Sequence, residues 1–82
     1  MFIYIGNDLV IESKQIVAIF ELDLVNHSKR LTSIVKKSAQ NNCLLGSKDD
    51  AKSVIITDEY VYYSPLSTLT LKNRDELYQT IS

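Results

Sequence analysis

The stretch that most constrains the fold is Val54-Ile55-Ile56-Thr57, four consecutive residues that all branch at Cβ. Branched side chains lose rotamer freedom in a helix and pack well on a pleated surface, so the run predicts a strand. Asp58-Glu59 predicts the turn and Tyr60 to Tyr63 the returning strand. Side chains alternate along a strand, which puts Tyr60 and Tyr62 on one face and Val61 and Tyr63 on the other. Ser64-Pro65 fits a helix start, with Ser as the cap and Pro at the first helical position. Leu66, Leu69, Leu77 and Ile81 suggest the C-terminal helix that follows. No histidine, paired cysteine or glycine-rich loop lies in this stretch, so it reads as scaffold rather than chemistry.

The first half yields to the same reasoning. Phe2 to Ile5 and Leu9 to Ile11 predict two strands around Gly6-Asn7-Asp8, a turn whose residues tolerate positive φ. Gln15 to Leu22 is a near-continuous apolar run, consistent with a buried strand. Asn26 and Ser28 are both acceptable N-caps. After them Leu31, Ile34, Val35 and Ser38 fall on one face of a helix, and Lys29, Arg30, Ser33, Lys36, Lys37 and Gln40 on the other. Asn41-Asn42 stops it, since Asn takes the left-handed C-cap conformation. Cys43-Leu44-Leu45 is a short apolar run and Gly46 to Lys52 a polar loop. Paired strands with short turns and two helices predict an α+β fold, a small antiparallel β-sheet of hairpins with helices on one side or at its ends.

A chain of 82 residues suits one domain, 1–82, and so small a domain is marginal unless staples or partners help. Cys43 is the only cysteine, which removes disulfides within the chain and leaves oligomerisation as the cheap way to bury more apolar area. A lone thiol and the absence of a secretory leader pattern predict a cytoplasmic protein. No apolar run approaches the roughly 20 residues of a membrane helix, so no membrane partner is expected.

Catalysis and metal binding find little support. Cys43 and His27 are the only Cys-His pair, and a helix between them holds them roughly 20 Å apart at 1.5 Å per residue. One Cys and one His do not fill a metal sphere. Asp49-Asp50, Asp58-Glu59 and Asp75-Glu76 are adjacent surface acids, without the burial that sets two carboxyl groups to different pKa values. No phosphate-cradling glycine motif exists. No enzyme and no cofactor is expected. What stands out is charge: Asn26 to Lys48 holds five basic residues and no acid, whereas the rest of the chain holds 4 basic and 10 acidic residues. A stripe of cations suits a nucleic-acid backbone.

Two segments, YIGNDLVIESKQIVAIFEL and KSVIITDEYVYYSPLSTLTLKNR, together make the chain resemble the Rem family, the extracellular-matrix regulatory proteins of Gram-positive bacteria, and within it the RemB branch, related to RemA. The resemblance runs nearly end to end and is one of pattern and length, not of a catalytic signature. It implies a non-enzymatic regulator of biofilm-matrix gene expression. It further implies a subunit similar to the LytTR type of DNA-binding domain, assembled as a ring-like homo-oligomer. The RemA branch contacts DNA through an Arg before the third apolar run and an Arg-Arg pair before the VIITD-like strand. The resemblance places Lys14 at the first position. It places Asp49-Asp50 at the pair, a charge reversal, with Lys48 and Lys52 flanking.

Two readings follow. In the first, transcription regulation proceeds through DNA, with Lys14, Lys48 and Lys52 at the loop edge and Lys29, Arg30, Lys36 and Lys37 on phosphates. Such contacts position a protein without reading sequence. In the second, the reversal at Asp49-Asp50 ends direct DNA binding. The protein is then a self-associating interaction or scaffold module, with Tyr60, Tyr62 and Tyr63 at the interface, where tyrosine is enriched.

Overall fold

The computed structural model of the protein describes residues 2–74. The order of elements is β1 (Phe2–Gly6), β2 (Leu9–Glu12), a 3-10 turn (Ser13–Gln15), β3 (Ile16–Glu21), α1 (Leu22–Asn26), α2 (Lys29–Gln40), β4 (Leu44–Leu45), β5 (Ser53–Thr57), β6 (Val61–Ser64) and α3 (Thr68–Arg74). The fold is α+β. β1 and β2 form a two-stranded antiparallel ribbon, and the other strands form a four-stranded sheet in the order β3-β5-β6-β4.

The hairpins form for the reasons the sequence gives. Asn7 and Asp8 both take positive φ, 54° and 62°, which is the primed turn that matches strand twist. At the β5–β6 turn, Thr57 Oγ1 accepts from the Tyr60 N–H at 2.9 Å and donates to the Tyr60 carbonyl at 2.8 Å. β5 then pairs antiparallel with β6, with Val54 opposite Tyr63 and Ile55 opposite Tyr62.

Alternation along β5 and β6 separates two cores. On one face, Ile55 meets Ile3, Ile5 and Ile11 of the hairpin and Leu71 of α3, with Tyr62, Ile19 and Leu66 packed around them. On the other, Val54, Val61 and Tyr63 meet Val25 of α1, with Leu31 and Val35 of α2 and Leu44 of β4 only partly buried. The sheet is thus covered by a hairpin and α3 on one side and by α1 and α2 on the other.

Two serines fasten the first side. Ser53 and Ser64 are cross-strand partners and both fully buried. The Ser64 hydroxyl donates to the Ile5 carbonyl at 2.6 Å and accepts from the Leu66 N–H at 3.1 Å. The Ser53 hydroxyl donates to the Leu66 carbonyl at 2.8 Å. Gly6, at φ 93°, lies where a Cβ would stand 2.5 Å from Pro65 Cγ, so no larger residue fits between the hairpin and the turn it rests on.

Several expectations need correction. The sheet is mixed, because β4 runs parallel to β6. There are three α-helices among the described residues, not two: α1 occupies Leu22–Asn26, so Leu22 leaves the third apolar run and Asn26 ends a helix instead of capping one. Ser28 alone caps α2, its hydroxyl accepting from the Leu31 N–H at 3.2 Å. Ser64-Pro65 does not start a helix. Ser64 closes β6, and the cap of α3 is Ser67, which accepts from the Thr70 N–H at 3.1 Å. The residue that anchors α3 is the buried Leu71, not the exposed Leu69. Leu77 and Ile81 lie outside the described residues.

The end of α2 follows expectation. Asn42 takes φ 59°. The Cys43 N–H donates to the Ser38 carbonyl at 2.8 Å and the Asn42 N–H to the Ala39 carbonyl at 3.2 Å, the paired bonds of a Schellman ending.

Candidate nucleic-acid interface

α2 carries the densest group of cations, and its geometry follows from how it is held. Its cap at Ser28 and the bond from the Thr32 hydroxyl to the Val25 carbonyl, 2.8 Å, tie it to α1. Leu31 and Val35 rest on the second core, yet no residue of α2 is fully buried. At about 3.6 residues per turn, positions seven apart share a stripe. Lys29 and Lys36 therefore form one row and Arg30 and Lys37 the next, and all four are exposed.

The loops extend this surface on one side. Gly46, at φ 91°, lies so close to the Tyr63 backbone carbonyl that a Cβ has no room. The close approach brings the connection after β4 under α2, and Lys48 lines the same groove as Lys36. A shallower depression joins Lys36 to Lys29 and His27 at the start of α2. Lys52 is exposed at the entry to β5, its backbone N–H donating to the Ser64 carbonyl at 2.8 Å and its carbonyl accepting from the Leu22 N–H at 3.0 Å. Lys14 stands apart in the 3-10 turn, in an ion pair of 3.2 Å with Glu12. Asp49 and Asp50 are exposed, between Lys48 and Lys52. The structure thus assembles Lys29, Lys36 and Lys48, sets Arg30 and Lys37 beside them, and separates Lys14.

The ion pairs among the described residues are Lys14 with Glu12 and, only when the imidazole is protonated, His27 with Asp23. The cations of α2, Lys48 and Lys52 are consequently in none of them, so their charge is available to a partner. Exposed ion pairs are weak in any case, at about 0–1 kcal/mol.

The tyrosines have other employment. Tyr63 is buried beneath α2 and Tyr62 packs against the hairpin core. Of the run Tyr60 to Tyr63, only the tyrosine at 60, in the turn before β6, is exposed, its ring 6.0 Å from that of Tyr62. Burial raises the Tyr62 hydroxyl above its ordinary pKa, with Tyr60, Glu59 and Asp58 adding to it, and burial alone raises Tyr63.

An apolar surface appears elsewhere. Phe2, Tyr4 and Val10 share the outer face of the hairpin, where Phe2 is 69% and Val10 57% exposed. Arg74 caps part of it, its guanidinium 5.6 Å from the centre of the Tyr4 ring. The signal in the sequence is that β1 is apolar at every position, on both faces. Val17 adds a further exposed apolar side chain, bulged out between Ile16 and Ala18 of β3.

His27 ends α1, its Nδ1 donating to the Asp23 carbonyl at 2.8 Å, and Cys43 lies beyond the opposite end of α2, its thiol donating to the Asn41 carbonyl at 3.4 Å. Among the described residues no three His, Cys, Asp or Glu gather as metal ligands, and no helix is long and apolar enough to cross a membrane.

These features define a small α+β module with an exposed cationic helix face. Its family is shown by sequence: residues 2–74 match the RemA-like family, described as extracellular matrix regulatory protein A-like, and the chain belongs to it. Among characterised relatives, the chain is 35% identical over 74 residues to Extracellular matrix regulatory protein B of Bacillus subtilis (strain 168), covering 90% of this chain and 89% of that one. Membership places the protein among regulatory proteins of the extracellular matrix.

Proposed function

We propose that the protein is a non-enzymatic regulator of biofilm-matrix gene expression that binds duplex DNA as a homo-oligomer in the cytoplasm. Lys29, Arg30, Lys36 and Lys37, with Lys48 and Lys52, meet phosphates. The observation that carries this reading is the exposed face of α2, which has four cations, no acid, and no ion pair among the described residues. Phosphate contacts release counterions, and affinity grows steeply with their number. Copies of one modest stripe repeated around a ring of LytTR-like subunits would multiply those contacts. The exposed apolar face of Phe2, Tyr4 and Val10 favours self-association.

Light scattering of the protein with and without a long duplex, at about 50 and 200 mM salt, tests it. An oligomer that joins DNA at low salt and leaves at high salt supports the reading. An oligomer that ignores DNA at both salts overturns it and favours the scaffold alternative. With Tyr63 buried and Tyr62 partly buried, such a scaffold would present the hairpin face and Tyr60, rather than the whole tyrosine run.

A further inference from the structure

The loosely packed side of the sheet contains a groove of about 260 Å³ between α2 and the β4–β6 edge. Its lining divides by chemistry. Val25, Val35, Leu44 and Tyr63 supply apolar surface, Lys36 and Lys48 supply charge, and no carboxylate lines it. Neither lysine is in an ion pair among the described residues.

Tyr63 is the unusual member. The residue as a whole is only 8% exposed. Its hydroxyl bonds to no other group among the described residues. Every fully inaccessible polar side-chain atom there is partnered. The Tyr63 hydroxyl therefore reaches accessible space, and the groove is a space that Tyr63 lines. Burial raises its pKa, so at neutral pH it remains an O–H donor. A hydroxyl donor and two cations with no bonded or ion-paired partner among the described residues, beside an apolar floor, are the complement of one kind of molecule.

We infer that this groove binds a small organic anion. The apolar body of the ligand, about one ring in size, lies on Val35, Leu44 and the Tyr63 ring. Its carboxylate or phosphate head group sits between Lys36 and Lys48 and accepts from the Tyr63 hydroxyl. The volume lies just below the roughly 300–1,000 Å³ of drug-sized sites, which limits the ligand to a compact one. Lys36 and Lys48 are also proposed phosphate contacts, so an occupied groove competes with DNA. This consequence rests on the DNA reading, whereas the groove itself does not.

Phenyl phosphate and benzoate serve as probes, with benzyl alcohol and inorganic phosphate as controls lacking the head group and the body. Binding to the full chain is followed by NMR of the Val and Leu methyls and the tyrosine rings. Both anions should shift Val35, Leu44 and Tyr63 signals with Kd in the range of about 1 mM, a fragment affinity. Neither control should produce that pattern at the same concentration. Lys36→Met with Lys48→Met should weaken binding about tenfold or more through loss of charge-assisted bonds. Tyr63→Phe, which keeps the ring and its packing, should weaken it roughly fivefold.

The inference is overturned if the probes leave these signals unmoved up to about 10 mM, including the case where a second copy of the chain fills the groove. It is equally overturned if the lysine substitutions leave binding intact. The same probes are then added to the protein on a duplex at fixed ionic strength. Displacement supports the competition. Groove binding without displacement overturns the competition alone, and groove binding by a protein that ignores DNA marks the failure of the DNA reading.

Discussion

The two faces of the central sheet are built to different standards. The face under the hairpin is isoleucine-rich, and Ile3, Ile5, Ile11, Ile55 and Leu71 are all at least nine-tenths buried. Its hydroxyls are spent on carbonyls, Ser64 on Ile5 and Ser53 on Leu66. The face under α1 and α2 also buries Val25, Val54, Val61 and Tyr63, but every side chain that α2 lays over it is at most partly buried, and a groove stays open beside Tyr63. Well-packed interiors resist any change of volume. The difference teaches a division of labour: one face holds the chain together and leaves the other free to carry charge and space.

That division can be broken first from the side that holds the fold. Ile55→Ala removes a fully buried side chain from the tight core and should cost about 3–4 kcal/mol in denaturant unfolding. Val35→Ala on the loose side should cost about 1 kcal/mol or less, because the residue is only partly buried. Equal costs would show that the faces do not differ. Next in size is Gly46→Ala, which places a methyl against the Tyr63 backbone at a positive φ. A loss of about 2–3 kcal/mol is expected, with accompanying shifts of the Lys48 loop in NMR spectra. Ser64→Ala leaves the Ile5 carbonyl and the Leu66 N–H without their partner and should cost about 1–3 kcal/mol.

The charged face gives the converse result. Lys36→Glu with Lys37→Glu should change stability by less than about 0.5 kcal/mol, as exposed substitutions do. The same pair should lower the steepness with which DNA affinity falls with salt by about one unit per lost contact. A stability change without a DNA effect would move these lysines from function to scaffold.

The smallest effect concerns pH. Tyr62 and Tyr63 both titrate above the ordinary tyrosine value when folded. Their contribution to stability is therefore complete below pH about 10 and lost as pH rises through the folded values. Tyr63→Phe should flatten part of that alkaline decline in thermal melts.

How much of this was legible in the sequence depended on the range of the interaction. The β5–β6 hairpin followed from Val54-Ile55-Ile56-Thr57, and α2 from its caps and apolar spacing, since both are local. α1 was hidden because five residues show no periodicity, although Val25 anchors it. Ser64 was misread because a serine that caps a helix and one that ends a strand look alike. What separates them is a carbonyl at Ile5, far away in the chain. The approach of Lys48 to Lys36 was hidden for the same reason, being set by the parallel pairing of β4 with β6 and by Gly46 on Tyr63. Charge itself was plain, as the acid-free run from Asn26 to Lys48 shows.

The bond between Ser64 and Ile5 also dictates an order of events as the chain is made. Its ends lie 59 residues apart, and synthesis at about 5–20 residues per second separates their appearance by roughly 3–12 s. During that interval β1 and β2 can pair with each other, but a lone hairpin is marginal in water. Ile3, Ile5 and Ile11 then have no Ile55 or Leu71 to meet. The hairpin thus waits for the strand and helix it packs against, and for those seconds the nascent chain exposes both faces of β1 to whatever surrounds the ribosome.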